Sequence, residues 1–442
     1  MLHEIKKIIP QGFKNIFHLG KAIVANFCFC FPSRNLVVVG VTGTNGKTTT
    51  TQIIGKVLES DGSLVAVSST INFRIGKEEW VNKTKFTTLS PWQVQKFIHQ
   101  AVQAGCKYLV LETSSHALDQ NRIWGIDFDV AVVTNVTREH LDYHKNMEEY
   151  GIAKEKLFAL LKEKGFWFHK MSKQKNPKVA VVNLGSEFAN KFLRHQADLK
   201  YGYSLENLGR KNETENIVKI IARNIKRENS GSEFVVNGER INLKLQGDFN
   251  IENALAAICV GLSQGIELDK IKKSLNEIKK IPGRMEYVEN NLGISIIIDY
   301  ALTPDSMEKV GEMIKKQLND SDSRFFWVFG SCGERDRGKR PIMGKIASDY
   351  ADFVVLTNED PYHENPNQII EEIARGIENK TKDENLWIVM DRKEAIKKAL
   401  QIARPGDTIL ITGKGAEETM AIGNQRIKWS DRNVIEEILE IL

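Results

Sequence analysis

The stretch Leu36-Val37-Val38-Val39-Gly40-Val41-Thr42-Gly43-Thr44-Asn45-Gly46-Lys47-Thr48-Thr49 decides the fold. Its opening run, rich in β-branched residues, is the composition of a buried strand. Gln52-Ile53-Ile54 and Val57-Leu58 then continue at helical spacing. Strand, glycine turn and helix in that order leave backbone N–H groups aimed at one spot beside the positive end of a helix dipole, which suits a polyphosphate. Lys47 is then placed to reach the β- and γ-phosphates, and the Thr48 hydroxyl to ligate Mg²⁺. The spacing departs from the usual nucleotide loop, because Val41 stands where the first glycine is expected and glycines occur instead at 40 and 43.

Outward from this turn, further buried-strand runs occupy 64–67, 108–111, 130–133 and 179–182, with helical patterns at 92–103 and 148–162. Continuous apolar strands alternating with helices predict an α/β fold built on a parallel sheet covered on both faces. From Lys200 to Glu239 the chain turns polar and less regular, with a hairpin signal at Val236-Asn237-Gly238-Glu239. An Ala-rich helix (250–265) and a charged helix (269–280) lead to Ile281-Pro282-Gly283-Arg284, where a domain boundary is expected. The alternation then restarts, with strands at 294–299, 325–329, 353–357, 386–390 and 408–412 and helices at 304–318, 341–350, 366–376 and 391–403, predicting a second α/β domain.

Composition narrows the classes. The 442 residues amount to about three domains at roughly 150 residues each. Hydrophobic residues at 41% and charged residues at 27%, without a biased tract, describe a soluble globular chain. The net charge of +5, with the two signs interleaved, is too small to argue for nucleic acid. Five scattered cysteines (Cys28, Cys30, Cys106, Cys259, Cys332) indicate neither a disulfide framework nor a zinc site and fit a reducing cytoplasm. The apolar stretch Ile16 to Phe31 is broken by His18, Lys21 and Asn26, so it reads as neither a signal peptide nor a spanning helix.

The string Gly43-Thr44-Asn45-Gly46-Lys47-Thr48-Thr49 resembles the ATP loop of the Mur ligases, the ATP-dependent amide ligases of peptidoglycan synthesis, to which folylpolyglutamate synthase is related. Four more stretches are similar to the tripeptide-synthetase branch of that family: Glu112-Thr113-Ser114-Ser115-His116-Ala117-Leu118 with Gln120 and Arg122; Thr134-Asn135 through His140-Leu141-Asp142-Tyr143-His144; Gly330 to Pro341; and Gly413-Lys414-Gly415 with Gly423 to Arg426 and Ser430-Asp431. The resemblance implies a short N-terminal helical extension (1–34), a central P-loop-type ATPase domain (35–281) and a C-terminal Rossmann-like domain (282–442). It also implies ATP and Mg²⁺ as cofactors, a nucleotide-sugar peptide and an amino acid as partners, no nucleic acid, and a cytoplasmic monomer. The implied reaction joins a diamino acid to a UDP-N-acetylmuramoyl-dipeptide-like acceptor through an acyl phosphate.

Residue by residue, the resemblance makes Thr48, Glu112, His140 and Lys154 metal ligands, Lys154 as a carbamate whose oxygens suit a hard cation. With Lys47, the last three form the catalytic set. Asn250 and Asn253 match positions near the adenine, and Arg284 and Asp299 match positions that close the second domain over the nucleotide. Thr87, Thr88, Ser114, Gln120 and Arg122 would hold the acceptor. Arg335 would grip the α-carboxylate of the amino acid, with Gly413 and Glu417 lining its far end and Glu359-Asp360 in the specificity loop.

The sequence also departs from the family. Only 35 residues precede the first strand, where the branch carries a full domain for the UDP end, so whether the acceptor carries UDP stays open. Leu302 and Ala416 replace family histidines. Glu359-Asp360-Pro361-Tyr362 replaces the Asp-Asn-Pro-Arg of diaminopimelate-adding members, so a terminal ammonium, as in L-lysine or ornithine, is expected over a distal carboxylate. Two alternatives are a folylpolyglutamate-synthase-like γ-glutamyl ligase and a non-catalytic nucleotide-binding homologue. Residues 12 to 31 are expected to form a helix packed on the central domain near the acceptor's entrance. The alternative is a membrane-surface helix, which Lys6, Lys7, Lys14 and Lys21 would permit.

Overall fold

A computed structural model describes residues 10–162, 176–205, 216–228, 230–318 and 322–442. Lys6 and Lys7 lie outside the described residues. The chain divides into two compact units. The first holds the chain up to Val136 with Asn146–Ile278, and the second holds Thr137–Lys145 with Lys279–Leu442.

In the first unit the apolar runs form β1 (Val37–Thr42), β2 (Val65–Ser68), β5 (Tyr108–Glu112), β6 (Val130–Val133) and β7 (Val179–Asn183), with β3 (Asn72–Ile75) and β4 (Glu78–Val81) between β2 and β5 in sequence. They join β8 (Leu199–Leu205), β9 (Val218–Glu228), β10 (Gly231–Val236) and β11 (Glu239–Leu243) in one 11-stranded sheet, ordered β11-β10-β9-β8-β7-β6-β1-β5-β2-β3-β4. The strands from β9 to β2 in that order run parallel. Antiparallel strands finish each edge.

Both faces of the parallel part are covered, as the unbroken apolar runs require. Val38, Leu109, Ala131 and Ala180 pack with Phe97 and Ile98 of the Pro91–Gln103 helix and with Leu157 and Phe158 of the Met147–Ala159 helix. The helices Lys47–Glu59 and Asp248–Ser263 pack on each other and on the strands. Each fully buried Val, Leu or Phe contributes about 1.5–3 kcal/mol, so this core and not local propensity fixes the strands. The hairpin expected at Val236–Glu239 is present, with Asn237 at φ 48° and Gly238 at φ 88°, the left-handed pair a two-residue turn needs.

The second unit is a six-stranded sheet of β12 (Glu286–Val288), β13 (Ser295–Asp299), β14 (Phe325–Phe329), β15 (Phe353–Leu356), β16 (Leu386–Ile388) and β17 (Thr408–Thr412), ordered β12-β13-β17-β14-β15-β16. All but β12 are parallel. Because β17 returns between β13 and β14, the strand order reverses there, and the C-terminal ends of these strands are where an open α/β sheet binds ligands. The first residues of two helices, Arg392–Ile402 and Asp431–Leu439, are tied by a fully buried fork. Arg392 Nε and Nη2 donate to the two oxygens of Asp431 at 2.8 and 2.7 Å, and Nη2 also reaches the Thr412 carbonyl at 2.9 Å.

The boundary therefore falls after Ile278, slightly before residue 281. Lys280 pairs with Glu286 at 3.7 Å, the Gly283 amide donates to Glu286 at 2.8 Å, and Ile281 bridges Arg284, which binds this stretch to β12. The expected N-terminal extension is a helix, Gln11–Cys28, belonging to the first unit. Its Asn26 donates to the Trp124 carbonyl at 2.6 Å, and Asn15 to the Asp119 carbonyl and carboxylate, both at 3.2 Å.

Candidate functional site

In the first unit the site grows from the turn after β1. Gly46 caps the Lys47–Glu59 helix at φ 79°, and a Cβ there would sit 2.5 Å from Asn253 Oδ1, so glycine is required twice over. Asn253 accepts the Thr50 hydroxyl at 2.9 Å and donates to Asn250 Oδ1 at 3.1 Å. Asn250 and Asn253 thus back the loop from a neighbouring helix. Asn135 closes it from the other side, accepting the Asn45 amide at 2.9 Å and donating to the Asn45 carbonyl at 3.1 Å. Lys47 Nζ donates to the Thr44 carbonyl at 2.7 Å, folded over the loop it belongs to.

Glu112, the last residue of β5, is buried beside this loop. The Thr48 hydroxyl lies 3.1 Å from each of its oxygens. Thr70 adds its amide at 2.7 Å and its hydroxyl at 2.9 Å. That hydroxyl is in turn 3.1 Å from Thr87. Beside it, the Thr88 hydroxyl donates to the Glu112 carbonyl and accepts the Ser114 amide, both at 3.0 Å, and Arg122 Nε donates to Gln120 at 2.8 Å. The residues expected at the phosphate loop and the acceptor side, with Thr48 and Glu112 of the expected metal set, therefore form one neighbourhood at the C-terminal ends of β1, β2 and β5. Lys154 joins them, fully buried, with Nζ donating 2.7 Å to the Gly43 carbonyl and lying 4.1 Å over the Tyr150 ring.

The other predicted residues fall in the second unit. His140 sits at φ 56° ahead of the short Leu141–His144 turn, with Nδ1 3.9 Å from Glu139. Lys339 donates to Glu139 at 3.1 Å and to the Leu302 carbonyl at 2.8 Å. Asp299 ends β13 and accepts the Met285 and Ala301 amides, each at 2.7 Å. Burial pushes its carboxyl up, against the pull of Arg284, whose guanidinium lies 4.4 Å over the Tyr300 ring. Among the described residues no cluster of three or more His, Cys, Asp and Glu could hold a metal by itself.

The far-end group clusters after β15 and β17. Lys414, fully buried, reaches Asp360 at 2.9 Å and Glu417 at 2.5 Å, so those two acids already have their cation. Glu359 is different. Cys332 Sγ donates to its Oε1 at 2.9 Å, while Oε2 is buried without a partner and faces Gly413, whose φ of 106° and missing Cβ leave that oxygen room. Burial and neighbouring Asp360 push the Glu359 carboxyl up. Of the three acids expected around the far end, Glu359, Asp360 and Glu417, only Glu359 is left without a lysine partner to face a terminal ammonium. Burial works against the charge of the Arg335 guanidinium, and the Asp142 carboxylate favours it.

Sequence reasoning missed Thr70, a lone threonine in a turn with no motif around it. It quoted Asn135 and Lys414 within motifs and gave neither a role.

Two family profiles match the chain: Mur ligase middle domain over residues 41–261, and Mur ligase, glutamate ligase domain over residues 283–415. The chain belongs to the Mur ligase family. A relative from Syntrophomonas wolfei named UDP-N-acetylmuramoyl-L-alanyl-D-glutamate--2,6-diaminopimelate ligase is 36% identical over 422 residues, 95% of this chain and 81% of its own. A UDP-N-acetylmuramyl-tripeptide synthetase from a Roseiflexus species is 37% identical over 412 residues, 90% of this chain and 78% of its own. A solved diaminopimelate-adding ligase superposes with a TM-score of 0.57 at 30% identity, covering 92% of this chain and 78% of its own. As a Mur ligase the protein is an ATP-dependent ligase, and the γ-glutamyl and non-catalytic alternatives are not favoured. Among the described residues no helix is long and apolar enough to cross a membrane.

Proposed function

We propose that this Mur ligase joins a diamino acid to the free carboxylate of a UDP-N-acetylmuramoyl-dipeptide-like acceptor, at the expense of ATP, in the cytoplasm and as a monomer. The continuous network from Thr48 through Glu112 and Thr70 to Thr87 carries the proposal, because it links a phosphate loop, through one carboxylate and the Thr70 hydroxyl, to a residue of the acceptor side.

A carboxylate resists attack by an amine, so it must first be phosphorylated. ATP supplies that phosphoryl group, and the amine then displaces phosphate. The loop amides and Lys47 bind and orient the polyphosphate, a positioning task in which one preorganised donor is worth on the order of 10²–10³ in rate. The Thr48 hydroxyl and Glu112 carboxylate are hard oxygen donors suited to Mg²⁺, which would offset the phosphate charge. A carbamate on Lys154 would add oxygens to that set and keep an N–H to donate to the Gly43 carbonyl. Thr88, Ser114, Gln120 and Arg122 would hold the acceptor, Asn250 and Asn253 would support the nucleotide side, and His140, Arg284 and Asp299 would keep the metal and nucleotide roles that the resemblance gives them. Arg335 would take the α-carboxylate of the amino acid.

The test is ADP release from ATP with UDP-N-acetylmuramoyl-dipeptide and a diamino acid, each omitted in turn. Release that requires both supports the reading, whereas release indifferent to the acceptor overturns it.

A further inference from the structure

The Gln11–Cys28 helix has two faces of opposite use. Ala22, Ala25 and Asn26 are buried against the first unit. On the other side, at spacings of three, four and seven residues, Phe13 is 68% exposed, Ile16 67%, Phe17 61%, Val24 55% and Phe27 59%. Those spacings place all five on one stripe. Large apolar side chains in a continuous stripe are not the scatter normal for a surface; they mark a face that something covers.

The charge pattern says what. The sequence has no Asp or Glu between Glu4 and Glu59. The helix itself carries only Lys14 and Lys21 as fixed charges, seven residues apart on one edge of the stripe, and Lys21 Nζ lies 4.2 Å over the Phe17 ring. Past the helix end, Phe29 packs edge-on against Trp92 at 5.2 Å, and that half-exposed indole is the side chain favoured at a bilayer boundary. An apolar stripe with lysines along its edge and no acid fits an anionic lipid surface, into which such a helix sinks its stripe while lying in the plane.

We propose that this helix docks the enzyme on anionic membrane surfaces. Packing on the first unit and contact with lipid use opposite faces, so the two readings of the segment are compatible. Through Asn15 the helix also holds Asp119, next to the acceptor residues Gln120 and Arg122.

The test is co-sedimentation of the full chain with vesicles of phosphatidylcholine mixed with phosphatidylglycerol, and with vesicles of phosphatidylcholine alone. Binding to the mixed vesicles is expected, weakened by salt. The double variant Phe13→Asp/Phe17→Asp should lower the partition coefficient at least about tenfold, with unchanged melting temperature and ligase turnover. Lys14→Glu/Lys21→Glu should remove the preference for phosphatidylglycerol. The proposal is overturned if the wild-type chain stays in the supernatant with both vesicles, or if it forms a dimer that the aspartate pair dissociates and binds neither.

Discussion

The Thr48 hydroxyl lies equidistant, at 3.1 Å, from the two carboxylate oxygens of Glu112, which the Thr70 amide and hydroxyl hold from a neighbouring turn. A helix's first turn and a strand's last residue thus share one pair of oxygens, fixed before any ligand arrives. Thr48→Ala removes one of the proposed Mg²⁺ donors and leaves Glu112 the Thr70 amide and hydroxyl. Turnover should fall on the order of 10²-fold and the Mg²⁺ concentration for half-maximal rate should rise, with the thermal midpoint unchanged. An unaltered Mg²⁺ titration would remove Thr48 from the metal site.

Lys154 gives a second prediction. It is buried, with Nζ held by the Gly43 carbonyl and lying over the Tyr150 ring, beside the loop whose Mg²⁺ a carbamate there would help to hold. Lys154→Ala should be nearly inactive, and acetate or formate should restore part of the rate by supplying the missing oxygens. Full activity without added carboxylate would end the carbamate role.

The second unit supplies a pH prediction. The Arg340 guanidinium, donating to both Glu364 oxygens at 2.7 and 2.9 Å, holds that carboxyl at about 2, below its usual 4.5. A depressed acid stabilises the fold fully above about pH 4.5, and that contribution disappears as pH falls through 2. Glu364→Gln should therefore melt earlier than wild type at pH 7, and the gap should shrink steadily below about pH 4. A gap independent of pH would assign the effect to packing.

What the sequence disclosed follows from where its signals are local. The Val37–Thr42 strand and the Lys47–Glu59 helix could be read because burial on both faces forces an unbroken apolar run, and the turn between them needs Gly46. β9 could not, since Val-Lys-Ile-Ile-Ala-Arg-Asn-Ile-Lys-Arg-Glu puts charges along a largely exposed strand whose partners are fixed by tertiary pairing. The roles of Glu112 and Lys154 came through resemblance, and geometry then put both beside the loop. Thr70 was hidden because one of its contacts is a backbone amide, which any residue carries, and its hydroxyl stands in no motif. Lys414 changed the electrostatics of the far end, because a motif shows a lysine but not that it pairs with both Asp360 and Glu417.

That pairing sharpens the choice of amino acid. Relatives are named for 2,6-diaminopimelate, whose distal carboxylate needs a cation. Here Tyr362 replaces the guanidinium of the loop. Arg392 is committed to Asp431, and Arg337 to Glu364 at 2.8 Å. Burying a carboxylate unpaired costs several kcal/mol, a factor of at least about 10². The specificity constant should favour L-lysine or ornithine over meso-diaminopimelate with one acceptor, and the reverse order would show that this reading of the loop is wrong.

Activation of the acceptor as an acyl phosphate is the central claim, and oxygen tracing tests it most directly. An acceptor carrying ¹⁸O in its free carboxylate is turned over with ATP and a diamino acid, and the released phosphate is analysed by mass. One ¹⁸O per phosphate is expected, because the carboxylate oxygen bonded to phosphorus leaves with it when the amine attacks. Unlabelled phosphate accompanying amide formation would contradict the account.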